Sequence, residues 1–156
     1  MRDKRFAAAM TLGAVAGMRT MTAPAAVSMR LQGRFWSWRR NRAEAFLRKR
    51  IVHRALVVAA AAELVGDKLP VAPDRIRILP LAARAASGAL AGWALARDRD
   101  AAVRYAAAGA VTAVAVAWAA WGVRRLVATR SRIPDPVIGI VEDAIAINAA
   151  RSVRYP

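Results

Sequence analysis

Long apolar runs separated by short blocks of charge organise this chain. A helix needs roughly 20 apolar residues to cross a bilayer. The first run, residues 6–31, is interrupted by Gly17-Met18-Arg19-Thr20 and by Pro24. A charge and a helix breaker in mid-segment predict a broken helix or a re-entrant hairpin, a backbone form that survives at membrane depth only under cover of protein or water. The second run, 51–69, is closed by Pro70, and the third, 79–96, follows the turn-rich Pro70-Val71-Ala72-Pro73-Asp74. The fourth, 101–127, is the cleanest, with Trp118 and Trp121 towards Arg124-Arg125, where an aromatic belt would sit. The last, 137–150, carries Glu142 and Asp143 and is short for a span, so it predicts a short helix packed against the others. Strand-type alternation is absent. The pattern predicts an all-α fold: a polytopic helical membrane protein, one membrane domain over 1–156. It would have about four transmembrane helices, the first broken or re-entrant, and a short C-terminal helix.

Charge sharpens this picture. The chain holds 26 Lys plus Arg against 10 Asp plus Glu, a formal net charge of +16, while 58% of its residues are hydrophobic. A soluble protein so basic would point to nucleic acid. Here the charges sit in loops and at segment ends, the arrangement expected at an anionic membrane surface, so lipid rather than nucleic acid is the expected partner. There is no Cys and one His, His53, which excludes thiolate chemistry and multi-His metal centres. No cofactor is expected. The basic start before Phe6 resembles a signal peptide, but its apolar stretch runs on to about Leu31, so a retained first segment is expected.

The segment 30–50 is the strongest charge block, with only Glu44 opposing its arginines and Lys49. Arg34, Trp36, Trp38, Arg39 and Arg40 interleave cation and aromatic ring, as an interfacial segment on anionic lipid requires. The alternative is an ordinary loop following the positive-inside bias. Both readings put it on the cytoplasmic face of the inner membrane. Arg2, Lys4, Arg5 and Arg124, Arg125, Arg130, Arg132 compete with it for orientation, and a hairpin in the first segment would remove part of that conflict.

Charges inside the apolar runs are the candidate chemistry: Arg19, Glu63, Asp67, Arg84, Glu142 and Asp143. Each costs roughly 2.5–3.5 kcal/mol on insertion scales, which asks for a reason beyond packing. Glu63 and Asp67 share a helix face one turn apart. Depth along an antiparallel hairpin matches Glu63, or Asp67, with Arg84, whose face also carries Gly88 and Gly92 and so admits a close neighbour. Arg19 needs an acid, and economy sets it against one of the two acidic pairs, joining the ends of the chain. The plain alternative is a set of fixed salt bridges. Ser28, Ser87 and Thr112 have no base nearby in sequence, and His53 reads as interfacial. Gly13 to Gly17 resembles Gly88 to Gly92, as an internal repeat would, but chance outweighs a repeat in a chain this rich in Ala and Gly.

Taken together, Gly17-Met18-Arg19 with Pro24, Glu63-Leu64-Val65-Gly66-Asp67-Lys68, Arg84 with Gly88 and Gly92, and Pro134-Asp135-Pro136 before Glu142-Asp143 resemble the domain-of-unknown-function 4126 family of bacterial membrane proteins. The resemblance implies membrane location and these polar positions, and no activity. The expected function is a permease or channel-like protein for a small polar or ionic solute, using the six buried charges, and a homo-oligomer through its Gly/Ala faces. The alternative is a non-enzymatic lipid-binding or assembly protein with structural salt bridges. An enzyme acting on a lipid head group is a third, less favoured reading because its acids would lie too deep.

Overall fold

The structure is a computed structural model that describes residues 2–32, 41–66, 78–130 and 135–153. Arg34, Trp36, Trp38, Arg39, Arg40, Asp67 and Lys68 lie outside those residues. Within them the fold is all-α, with seven helices: α1 (Arg2–Met18), α2 (Thr22–Gln32), α3 (Arg42–Leu47), α4 (Arg50–Gly66), α5 (Ile78–Ala94), α6 (Arg99–Arg130) and α7 (Asp135–Ser152).

The first apolar run is broken at Arg19-Thr20-Met21, where its charge and Pro24 predict a break. Pro24 stands in the first turn of α2, where its missing N–H would have had no helical partner anyway. α1 and α2 then form an antiparallel hairpin. Arg5 at the start of α1 donates from Nη1 to the Leu95 carbonyl at the end of α5, 3.1 Å away. Asn41, beyond the other arm, donates from Nδ2 to the Trp93 and Ala96 carbonyls of the same region at 2.9 and 2.8 Å. Gln32 reaches the Arg48 carbonyl just ahead of α4, and Arg30 reaches the Ala150 and Arg151 carbonyls at the end of α7. Both arms of the hairpin, the start of α4, the α5–α6 turn and the end of α7 therefore share one end of the molecule, called here the basic end.

Local capping fixes two of these junctions. Asn41 accepts the Glu44 N–H at Oδ1, 2.8 Å, and starts α3. Asp98 accepts the Ala101 N–H at 2.7 Å and starts α6 three residues before the apolar run begins.

α6 is the central element, packed by α5 along one side and α1 along another. The contact is made by backbone rather than by large side chains. A Cβ on Gly13 of α1 would lie 2.4 Å from the Gly109 carbonyl oxygen of α6, and one on Gly88 of α5 would lie at the same distance from the same oxygen. The two small-residue stretches that resemble one another thus meet a common helix at one level, α1 parallel to it and α5 antiparallel. The glycine faces invoked for association between subunits are used inside the chain.

The expected α4–α5 hairpin does not form. α4 packs on α2 and α5 packs on α1 and α6, because the returning arm α2 also lies against α5. The last helix is longer than the 14-residue segment read from the pattern: it starts at Asp135 and runs 18 residues. Among the described residues one helix, over Arg99–Val127, is long and apolar enough to cross a membrane, with a mean hydropathy of 1.7. α4 has no buried residue although most of it is apolar, and its Ile51, Val58 and Val65 are 77%, 67% and 67% exposed. These three repeat every seventh position and mark a single outward face.

Candidate functional site

The break between α1 and α2 collects polar groups from three other helices, α4, α5 and α7. Two backbone N–H groups at its turn, those of Thr20 and Met21, precede the first turn of α2 and cannot find intrahelical acceptors. Glu63 of α4 supplies both. Its Oε1 accepts the Thr20 N–H at 2.7 Å and its Oε2 the Met21 N–H at 2.8 Å. A carboxylate placed there also meets the positive end of the α2 dipole. The Thr20 carbonyl points the other way and accepts the Ser87 hydroxyl of α5. The turn is thus held from two sides by side chains on separate helices.

Arg19, at the same break, is 1% exposed, and its Nε makes an ion pair with Asp143 of α7. This joins the first and last helical regions. The neighbouring acid, Glu142, takes Arg124 of α6, with Nη2 to Oε2 at 2.7 Å. Arg84 of α5 is 5% exposed and lies one turn before Ser87, hence on the same side of α5 as the break.

Of the sequence-derived candidates, Arg19, Glu63 and Asp143 come together around the α1–α2 turn, with Arg84 one turn from its Ser87 contact. Glu142 is adjacent in sequence but is engaged on α6. The pairing of Arg19 with a terminal acid is present. The pairing of Glu63 with Arg84 is not, because α2 stands where an α4–α5 interface was expected and presents backbone amides that Glu63 satisfies instead. Ser87 was set aside in the sequence for want of a nearby base, so its part in holding the turn was missed. Its spacing of three from Arg84 and one from Gly88, on a face already marked as close-packed, was the available signal.

A second polar contact, nearer the basic end, was also missed. Ser28 of α2 and Nδ1 of His53 of α4 are 2.9 Å apart. Twenty-five residues separate them, so no local spacing announces the pair. Ser28 is fully buried, and the contact ties the returning arm of the hairpin to α4 rather than offering a hydroxyl to a substrate. Among the described residues no three His, Cys, Asp or Glu side chains gather as a metal ion would require.

The arrangement can do two things chemically. It can lock the hairpin, since each acid named above already holds a donor of the protein. It can also hold a small polar group, since Glu63 sits where an anion would bind at a helix N-terminus. Neither a characterised protein nor a solved structure matches the chain. The sequence profile of a domain of unknown function, DUF4126, matches residues 6–151, the span that carries every one of these side chains, and the chain belongs to that family.

Proposed function

We propose that this is a multi-pass protein of the bacterial inner membrane whose α1–α2 hairpin is re-entrant and whose turn forms a membrane-embedded site for a small polar or ionic solute. It has four membrane segments, the re-entrant hairpin first, then α4, α5 and α6, with α7 packed among them. The observation that carries the reading is an inversion of the usual soluble pattern. Arg19, Arg84 and Asp143 are buried, while Ile51, Val58 and Val65 face outward from α4. Contiguous apolar exposure with charge inside fits lipid as the surrounding solvent.

Depth supports the same reading. Glu63 stands 13 residues into α4 from the basic end, about 20 Å at 1.5 Å per residue. Asp143 lies eight residues from Arg151, about 12 Å by the same rise. Across a hydrocarbon core about 30 Å thick, the polar turn falls well inside the membrane. Orientation follows from the hairpin. Because both its arms end at the basic end, Arg5, Arg30, Arg42, Arg48 and Arg99 stand together against Arg124, Arg125 and Arg130 at the other end. The positive-inside bias then makes the basic end cytoplasmic.

In this reading Glu63 is the protein's own occupant of the α2 N-terminus. An arriving anionic or polar group would exchange with it for the Thr20 and Met21 N–H groups, Arg19 and Arg84 balancing the charge. A second reading, a structural lock with no solute, is favoured by Glu63, whose two carboxylate oxygens each already accept a backbone N–H. Single Cys substitutions separate the two in a chain that has no Cys of its own. Under the solute reading, Thr20→Cys reacts with a membrane-impermeant thiol reagent while Val58→Cys and Val65→Cys do not. Protection at all three positions selects the lock. Reaction at Val58 and Val65 overturns the membrane reading itself.

A further inference from the structure

The hairpin's returning arm creates a second feature that neither the turn nor the central packing uses. Between α2, α4 and α7 lies a groove of about 360 Å³, walled by Ala25, Ala26 and Met29 on one side and Val57, Ala61 and Ile147 on the others. Between its two ends its walls are apolar. From Thr22 at its inner end to Arg30 at its mouth it follows eight residues of α2, about 12 Å. The inner end stops beside Leu64, next to the Glu63 cap.

The mouth is cationic. Arg30 and Arg151 both line it, and no acidic residue does. The Arg30 guanidinium is fixed there because its Nη2 donates to the Ala150 and Arg151 carbonyls at the C-terminal end of α7, at 3.2 and 2.5 Å. A cation at that position also suits the negative end of the α7 dipole. The remaining N–H groups of its five-donor fork make no hydrogen bond among the described residues, and guanidinium geometry matches a phosphate in two-point contact.

We infer that this groove is a binding site for one anionic phospholipid. An acyl chain lies along Ala25, Met29, Ala61 and Ile147, and the phosphate rests on Arg30 and Arg151. The long apolar wall with charge at one end fits a lipid rather than a free anion, which would leave the groove unfilled. A zwitterionic lipid brings the same phosphate but also a quaternary ammonium. Two guanidinium groups with no acid among the lining residues would repel that cation, so a head group of net negative charge fits the mouth better. The inference rests on the membrane reading above and places the head group at the cytoplasmic surface. The lipid chain would then bridge α2 to α7 and end beside the Glu63 contact.

Native mass spectrometry on the full chain, purified in detergent and offered phosphatidylglycerol or phosphatidylcholine of identical chains, tests this. The expected result is retention of phosphatidylglycerol by the parent chain. Retention should fall about tenfold in Arg30→Ala/Arg151→Ala, which loses the head-group contact. It should also fall in Ala61→Trp, which fills the groove and leaves both arginines in place. Equal retention of the two lipids, or equal retention by the parent and Ala61→Trp, overturns the inference. No bound lipid on a chain that stays in carbonate-washed membranes overturns the groove alone, whereas a chain released by that wash overturns the membrane reading beneath it.

Discussion

Arg19 and Asp143 form an ion pair between the break in the first apolar segment and the middle of the last helix, 124 positions apart in the chain. Arg19 is among the largest fully buried side chains of the protein. A pair so sealed is held less by its own net energy than by what its loss would expose. Arg19→Met or Asp143→Leu alone should each cost about 3–5 kcal/mol, because each leaves one buried charge uncompensated. The double substitution should recover most of that loss. Denaturant titration of the purified protein in detergent checks both, and two fully additive single losses would mean that the groups are not coupled.

The Glu63 cap makes a graded prediction. Glu63→Ala removes the acceptors of two backbone N–H groups and should cost about 1–3 kcal/mol for each amide left without a partner. Glu63→Gln keeps one acceptor oxygen and should fall between the two. The hairpin loosens first, so hydrogen exchange at Thr20 and Met21 should accelerate in the same order. Unchanged exchange in Glu63→Ala would show that the turn is held without this side chain.

Close approach at α6 gives a third prediction with an internal control. Gly88→Ala would drive a Cβ to 2.4 Å from the Gly109 carbonyl oxygen, and that oxygen belongs to backbone that cannot swing aside. Forcing the helices apart should cost about 1–3 kcal/mol, as overpacking generally does. Gly122, on the same helix α6, has nothing within 4 Å of its would-be Cβ. Gly122→Ala should therefore be neutral or stabilising by up to about 1 kcal/mol through helix propensity. Thermal unfolding of both variants decides, and similar behaviour of the two would contradict the packing described.

What was legible in the sequence was what depends on one segment at a time. Arg19 with Pro24 marked the break, and the apolar runs marked the long helices. What was not legible was the order in which helices pack. An Ala-rich helix offers nearly equal surfaces all round, so nothing local says whether α4 meets α5 or α2. That ambiguity sent Glu63 to Arg84, when the structure gives it the backbone of a returning arm. α3 was hidden for another reason: it is six residues long, inside a block read for its charge. Asn41 with Glu44 three positions later is a helix-start signature that could have disclosed it. The Ser28–His53 contact could not have been found that way, since it exists only because the hairpin folds back.

The re-entrant hairpin is the claim on which the orientation and the buried site both depend, and surface labelling from each side of sealed vesicles tests it most directly. Single Cys residues at Lys4, Arg42, Arg99 and Thr129, all exposed, report the start of α1, the start of α3 and the two ends of α6. The account predicts that a membrane-impermeant maleimide labels Lys4→Cys, Arg42→Cys and Arg99→Cys only from the cytoplasmic face, and Thr129→Cys only from the opposite face. Labelling of Lys4→Cys and Arg42→Cys from opposite faces would mean that the first segment crosses the membrane, and would contradict it.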